Sequence, residues 1–161
     1  MACYTTIITT EAQKFLPPEF ERCNMSEVDT IKNVTIVGIG TQGSMIAFRN
    51  ALYGKNVTGY SRTQPSIDTC KNKIEKWLAH FIEEGKLTKD EADAVRGRIH
   101  YATTLDEACK DADLVVENVP EKIEVKQAVF KQLDEVCPKH CYLNSNTSSL
   151  LMSCLLYTSP S

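Results

Sequence analysis

Six consecutive residues, Gly38-Ile39-Gly40-Thr41-Gln42-Gly43, have the spacing of a phosphate-binding glycine turn. A β-branched run at 34–37 precedes them and a helical pattern follows, which is the context that such a turn requires. Gly38 permits a tight turn, Gly40 lets the backbone approach a pyrophosphate, and Gly43 lets the helix pack closely on the strand. The free N–H groups and the dipole of that helix favour an anion. We expect a dinucleotide site here, with an unused glycine turn as the alternative. The dinucleotide site would include Gly38, Gly40, Thr41, Gln42 and Gly43.

The residues after the second predicted strand are expected to select the cofactor. In NAD sites an Asp or Glu at this position accepts hydrogen bonds from the ribose hydroxyls. This chain has Ser61 and Arg62 instead, and Ser61 follows Gly38 by 23 residues, close to the usual offset of about 20. A hydroxyl beside a guanidinium suits a 2′-phosphate. We therefore expect NAD(H) or NADP(H), with NADP(H) favoured. The alternative is that Arg62 stacks on the adenine or points to solvent, and NAD(H) binds through the hydroxyls.

The elements that must position these residues alternate along the chain. Short apolar runs predict strands at about 34–37, 57–60, 99–102, 114–116 and 142–144. Helical patterns separate them at about 42–53, 65–85, 88–95 and 121–136. This alternation predicts an α/β fold: a Rossmann-type doubly wound parallel sheet with a long helical hairpin inserted between strands 2 and 3.

Two details of these helices can also be predicted. Thr-x-x-Glu pairs at Thr88 and Thr104 predict capping boxes at two helix starts. The helical spacing of the 121–136 segment predicts its buried face. That face would consist of Val125, Val129, Leu133 and Val136.

Composition limits the classes of partner. The 161 residues suffice for one globular domain, and the net charge of −3 gives no reason to expect nucleic acid or an anionic membrane. No apolar run approaches the roughly 20 residues of a membrane span. The seven cysteines are odd in number and scattered, so a disulfide framework is not expected. Cys137 and Cys141 lack a second ligand pair, so no metal is expected.

The cysteine usage favours a reducing, cytoplasmic location. The N-terminus has no basic region and no apolar core of a secretory signal, and acidic residues from Glu11 onward disfavour a mitochondrial presequence. Mitochondrial and peroxisomal locations both remain open.

At the fourth and fifth strands the sequence resembles a known family. The relevant segments are Asp113-Leu114-Val115-Val116-Glu117, then Glu121 with Val125-Lys126, then Ser145-Asn146-Thr147-Ser148-Ser149-Leu150. Together they are similar to the 3-hydroxyacyl-CoA dehydrogenases, and the similarity spans roughly residues 31–152. The Ser-Asn-Thr-Ser-Ser run is its most specific marker.

The resemblance implies an oxidoreductase of fatty acid metabolism that interconverts L-3-hydroxyacyl-CoA, including 3-hydroxybutyryl-CoA, and 3-ketoacyl-CoA. It places Glu121 and Lys126 near the nicotinamide, and it implies that the catalytic residues Asn146 and Ser148 reach the nicotinamide and the reacting oxygen. Each residue also has a structural alternative. Glu121 would favour its helix N-terminus, Lys126 would be a solvated charge, and Ser148 or Ser149 would cap a following helix.

The family's catalytic base is a His in a His-x-x-Asn-Pro segment downstream of the serine-rich run, oriented by a Glu further on. Removing the hydroxyl proton requires such a base. His80, His100 and His140 do not match that segment. We therefore expect this chain to lack the base and to be inactive by itself. The acyl-CoA substrate and a homodimer would belong to the full-length protein, whose helical C-terminal domain closes the cleft.

The sequence divides into three parts. Residues 1–30 read as an irregular N-terminal extension, in which Met25 is an alternative start. Residues 31–153 read as an incomplete dinucleotide-binding domain. Residues 154–161 resemble the in-frame translation of a sequencing adaptor, so we expect a library-derived tail there.

Three functions remain open at this point. The first is the cofactor half of a 3-hydroxyacyl-CoA dehydrogenase. The second is another two-domain dehydrogenase, acting on a small 3-hydroxy acid. The third is a non-catalytic dinucleotide-binding protein of the crystallin type. A His-x-x-Asn-Pro segment downstream would support the first, a Lys base the second, and neither the third.

Overall fold

The computed structural model describes residues 30–149, which are built around one parallel sheet. Every neighbouring pair of strands is parallel, and the strand order is β3-β2-β1-β4-β5. This order reverses direction at β1, the arrangement of a doubly wound sheet, so the predicted fold class is confirmed. The strands are β1 (Asn33–Val37), β2 (Asn56–Tyr60), β3 (Ile99–Ala102), β4 (Leu114–Glu117) and β5 (Tyr142–Ser145).

Five helices cover the two faces of the sheet. They are α1 (Thr41–Leu52), α2 (Gln64–Glu83), α3 (Lys89–Gly97), α4 (Leu105–Cys109) and α5 (Ile123–Val136). The first three share one apolar core with the sheet, and α4 and α5 share the other. The helices α2 and α3 form the predicted hairpin insertion between β2 and β3.

The two predicted capping boxes have different outcomes. At the start of α3 the Thr88 hydroxyl accepts from the Glu91 N–H, and the Glu91 carboxylate accepts from the Thr88 N–H, so this box is complete. At the start of α4 the Thr104 hydroxyl accepts from the Glu107 N–H, but the reciprocal bond is absent from this helix start. The second prediction is therefore half right, because α4 has an N-cap but no box.

The buried face of α5 differs from the prediction. Val125 is 38% exposed, whereas Lys126, Phe130 and Leu133 are buried. Val129 and Val136 are half-buried against the same core. The buried stripe thus starts one residue later than predicted, at a lysine. Apolar periodicity cannot reveal this start, because burial of a lysine depends on a charged partner that comes from another element.

The other predictions from the sequence concern metal sites, disulfides, membrane spans and the two ends of the chain. Within residues 30–149 no group of three His, Cys, Asp or Glu side chains is arranged to hold a metal, and Cys70, Cys109, Cys137 and Cys141 are free thiols. None of the helices in this part is long and apolar enough to cross a bilayer. Most of the predicted N-terminal extension and the whole predicted tail lie outside the described residues.

Candidate nucleotide-binding cleft

A cleft of about 360 Å³ opens at the carboxyl ends of β1, β4 and β5. Open α/β sheets bind their ligands at this edge, next to the point where the strand order reverses. One wall is the glycine turn, and the other is formed by the segments that follow β4 and β5. The lining residues are Gly40, Thr41, Gln42, Gly43, Asn118, Val119, Pro120, Glu121, Asn146 and Ser148.

The glycine turn has the geometry that a dinucleotide requires. Gly38 has a φ of +92°, and a Cβ there would lie 2.8 Å from the Asn118 carbonyl oxygen. A Cβ at Gly43 would overlap the Gly38 carbonyl oxygen, so α1 packs on β1 only because that position is glycine. At Gly40 a Cβ would meet no atom within 4 Å, which leaves open space beside the backbone. The turn therefore offers the close approach to main chain that a pyrophosphate needs.

The N-terminus of α1 is suited to an anion. Its N-cap residue Gly40 provides no side-chain hydrogen bond, and the first turn contains no acidic residue. The side chains therefore leave the first N–H groups of α1 available to a ligand. The helix α2 adds a positive charge at this point, because Lys73 Nζ lies 3.2 Å from Thr41 Oγ1.

Asn146 connects the two walls of the cleft. Its side-chain amide donates to Gln42 Oε1 at 3.0 Å and to Asn118 Oδ1 at 3.0 Å. Its backbone N–H donates to the Glu117 carbonyl oxygen at 2.8 Å. Asn146, which the family resemblance associates with the nicotinamide, is thus held by α1, by β4 and by the loop that follows β4.

A buried ion pair lies below this cleft. Glu117, the last residue of β4, and Lys126 in the first turns of α5 are both fully buried. Lys126 Nζ lies 2.9 and 2.8 Å from the two carboxylate oxygens of Glu117. The carboxylate also accepts from the Val119 N–H at 2.6 Å and from Ser145 Oγ at 2.6 Å. Lys126 is therefore not a solvated surface charge, and it lies under the cleft rather than on its lining.

Glu121 holds the segment that follows β5. Its Oε1 accepts from the Thr147 hydroxyl, from the Ser148 and Ser149 N–H groups at 3.1 Å each, and from Ser149 Oγ at 3.0 Å. Its Oε2 lies 3.2 Å from Lys126 Nζ. The hydrogen bonds from Thr147 and Ser149 hold the pKa of the Glu121 carboxyl well below its ordinary value. Glu121 thus shapes the cleft rim, and it precedes α5, which begins at Ile123.

Ser61 and Arg62 lie outside this cleft, directly after β2. Ser61 is half-buried, and its N–H donates to the Ala102 carbonyl oxygen at 3.2 Å. Arg62 is exposed. Both residues sit at the carboxyl edge of the sheet, on the side of the glycine turn away from Glu121 and Asn146. Glu121, Asn146 and Ser148 thus lie at the cleft. Ser61 and Arg62 lie along the same edge of the sheet, on the other side of the glycine turn.

Sequence reasoning assigned no role to Glu117, Asn118, Val119 or Pro120, although the last three line the cleft. The available signal was position, since these residues directly follow a buried strand whose end should reach the ligand edge. The three histidines lie elsewhere among the described residues. His80 is on α2 near Glu84, His100 is exposed on β3, and His140 is 3.3 Å from Asp113.

Comparison with known proteins agrees with this geometry. The 3-hydroxyacyl-CoA dehydrogenase NAD-binding domain model matches residues 33–159. This match runs into the segment for which a library origin is predicted above, and that origin stays a prediction. A 3-hydroxybutyryl-CoA dehydrogenase from Clostridioides difficile is 38% identical over 117 residues, which is 73% of this chain and 41% of that protein.

Two solved structures have the same fold. (S)-3-hydroxybutyryl-CoA dehydrogenase from Ralstonia eutropha superposes with a TM-score of 0.76 at 30% identity, covering 80% of this chain and 45% of that one. A diketoreductase that acts on dicarbonyl compounds gives a TM-score of 0.74 at 37% identity, covering 80% and 46%. The chain thus spans less than half the length of these relatives. The chain belongs to the family of 3-hydroxyacyl-CoA dehydrogenase NAD-binding domains.

Proposed function

We propose that this chain binds a nicotinamide dinucleotide and forms the cofactor-binding part of an oxidoreductase that interconverts L-3-hydroxyacyl-CoA and 3-ketoacyl-CoA. The observation that carries the proposal is the shared cleft. An uncapped helix N-terminus on a glycine turn faces Glu121, Asn146 and Ser148 across one space. A pyrophosphate suits the first wall, and a nicotinamide ring with its carboxamide group suits the polar side chains of the second.

The residues present fit such a cofactor from end to end. Ser61 and Arg62 would hold the adenosine ribose, and the backbone of Gly40–Gly43 would hold the pyrophosphate. Asn146 and Ser148 would hold the nicotinamide side. When bound, the nicotinamide accepts or supplies the hydride. The Ser148 hydroxyl would direct a hydrogen bond toward the oxygen of the reacting carbon, and the Asn146 amide would do the same after releasing its bond to Gln42 or Asn118.

The proton that leaves the substrate hydroxyl needs a base. Among residues 30–149 no histidine lines the cleft, and the Glu121 carboxylate is occupied by the 147–149 segment. We therefore place the base, together with the acyl-CoA pocket, outside these residues.

The experiment is calorimetric titration of the 161-residue chain with NADH and NADPH, followed by an assay with acetoacetyl-CoA. We expect saturable binding with no turnover above background. If the chain bound neither NADH nor NADPH, the proposed function would be overturned. Measurable turnover would overturn the proposed location of the base.

We further propose that NADPH binds more tightly than NADH. Arg62 is exposed at the end of β2, where a 2′-phosphate would lie, and Lys73 adds a second cation at the neighbouring glycine turn. Arg62→Asp should reverse the preference, because the carboxylate repels a 2′-phosphate and accepts from ribose hydroxyls. The expected change in the ratio of the two Kd values is about tenfold or more, since a charge-assisted hydrogen bond contributes about 1.5–3 kcal/mol.

Titrating Arg62→Asp with both cofactors checks this preference. Arg49→Asp is the matched control, because Arg49 is also exposed but lies near the far end of α1. An unchanged Kd ratio in Arg62→Asp would remove Arg62 from the cofactor site.

The likeness to a diketoreductase supports a second candidate, the reduction of a small dicarbonyl compound without CoA. The two candidates share the cofactor cleft and differ in the substrate pocket. Assays of a longer protein that contains this domain, with acetoacetyl-CoA and with a free diketone, would separate them by kcat/KM.

A further inference from the structure

The buried Glu117 carboxylate is the most heavily engaged side chain beneath the cleft. It accepts from the Lys126 ammonium through both oxygens, from the Val119 N–H and from Ser145 Oγ, at distances between 2.6 and 2.9 Å. These donors come from three different segments: the β4–α5 loop, helix α5 and the end of β5. Glu117 and Ser145 are also register partners in the sheet.

This network continues to the cleft surface through a second carboxylate. Lys126 Nζ lies 2.8 Å from Glu117 and 3.2 Å from Glu121. Glu121 in turn accepts the hydrogen bonds that hold the 147–149 segment. The chain of contacts therefore runs from Glu117 through Lys126 and Glu121 to Ser148, which lines the cleft.

We propose that Glu117 is a positioning residue for the nicotinamide half of the site: by fixing the Lys126 ammonium it holds Glu121, and thereby the 147–149 segment, in the conformation that receives the cofactor. The inference rests on the proposed dinucleotide function. It differs from a general stabilising role because Glu117 acts on one wall only. The glycine turn and the end of β2 receive none of its side-chain hydrogen bonds.

The physical reason is the compensation of a buried charge. A lysine ammonium without a partner is costly to bury, so Lys126 keeps its position only while a carboxylate faces it. Glu117→Gln removes that charge at nearly constant volume. The ammonium would then turn toward Glu121 as its only anion among the described contacts, and the bonds to the 147–149 segment would be redistributed.

The test compares two ligands on the full chain. NADH spans the whole site, whereas ADP-ribose lacks the nicotinamide and reports on the adenosine and pyrophosphate half alone. For Glu117→Gln we expect the Kd of NADH to rise about tenfold or more, while the Kd of ADP-ribose stays within about twofold. Equal changes for both ligands would overturn the proposal, since a purely structural role would affect both halves.

Two further variants keep the test decisive. Thr35→Val is the matched control for the loss of a buried hydrogen bond. Thr35 Oγ1 donates to the Ala108 carbonyl oxygen at 2.6 Å, away from the cleft. It should lower stability and leave both Kd values within about twofold of wild type. If Glu117→Gln does not fold, Ser145→Ala removes one hydrogen bond to the same carboxylate. It should weaken NADH alone, by about threefold, and no selective loss would overturn the proposal.

Hydrogen–deuterium exchange without ligand provides a second readout. In Glu117→Gln, peptides covering residues 145–149 should lose protection, while those covering the glycine turn should keep it. If Glu117→Gln kept the wild-type level of protection at residues 145–149, the proposal would be overturned. This readout does not depend on whether NADH binds the wild-type chain. Failure of wild-type binding instead counts against the proposed function, so the two failures are distinguishable.

Discussion

A single carboxylate, Glu121, organises the rim of the cleft. One of its oxygens accepts from both the backbone and the side chains of the 147–149 segment, and the other faces the Lys126 ammonium. All of these partners favour the ionised form, which is why the pKa of Glu121 lies well below its ordinary value of 4.5. The shape of the rim therefore depends on the protonation state of one residue.

This dependence predicts how acid affects the protein. The pKa of Glu121 is lower in the folded chain than in the unfolded one, so its contribution to stability is complete above the unfolded pKa and is lost as the pH falls through the folded pKa. Glu121→Gln removes the contribution at every pH. The difference in urea midpoint between wild type and this variant should be constant above about pH 5.5 and should narrow below about pH 4.5.

Urea titrations at several pH values between 3 and 7 would check this behaviour. Glu124→Gln controls for the loss of one surface carboxylate, since Glu124 is exposed in the first turn of α5. A wild-type to Glu121→Gln difference that stays the same down to pH 3 would show that folding does not favour the ionised form of Glu121.

Among individual residues, the local sequence pattern predicted the glycine turn, and the family resemblance placed Glu121, Asn146 and Ser148 near the same ligand. The structure brings the glycine turn and these three side chains to one cleft. Their roles toward that ligand remain predictions. Glu117 was missed because its importance comes from Lys126, nine positions later in the sequence and on another element.

At the level of elements, the site depends on how closely α1 approaches β1. The two are joined by the glycine turn, and their contact requires a position without a side chain at Gly43. Gly43→Ala would force α1 away from the Gly38 carbonyl. Displacement of a well-packed element costs about 1–3 kcal/mol, so we expect the free energy of unfolding to fall by that amount.

Chemical denaturation measures this loss, and weaker binding of NADH and ADP-ribose should accompany it. Gly97→Ala is the matched control, because Gly97 ends α3 and a Cβ there would meet no atom within 4 Å. The control should leave stability unchanged or raise it by about 0.5–1 kcal/mol. If Gly43→Ala behaves like Gly97→Ala, the close packing of α1 is not essential.

Helix boundaries and buried faces were predicted unevenly for a physical reason. Thr88 and Glu91 form their box from neighbours in sequence, so local pattern was sufficient. The face of α5 depends instead on β4, which supplies the carboxylate that lets Lys126 be buried while Val125 remains exposed. Hydrophobic periodicity assumes that charges face solvent, and it fails where a buried pair makes burial tolerable.

For the molecule as a whole, alternation of strands and helices was enough to predict the parallel sheet and the edge at which the candidate cleft opens. Both follow from general rules of α/β folds: parallel strands require crossover helices, and the carboxyl edge collects the loops. The strand order and register were not predicted in detail, because they depend on contacts between residues that are far apart in sequence. An example is Asp113, which accepts from the Lys32 and Asn33 N–H groups at 2.8 Å each.

The contact between Gly38 and the loop after β4 has a consequence for sequence divergence. A side chain at position 38 would meet the backbone of Asn118 and Val119. The glycine turn and the loop after β4 therefore pack together at a position that has no room for a Cβ atom. We therefore expect any side chain at position 38 to strain the turn and to push the loop after β4 away. Ser61 and Arg62 follow β2 outside this contact, with Arg62 exposed. Substitutions at 61 and 62 should therefore leave the packing of the glycine turn against the loop after β4 unchanged.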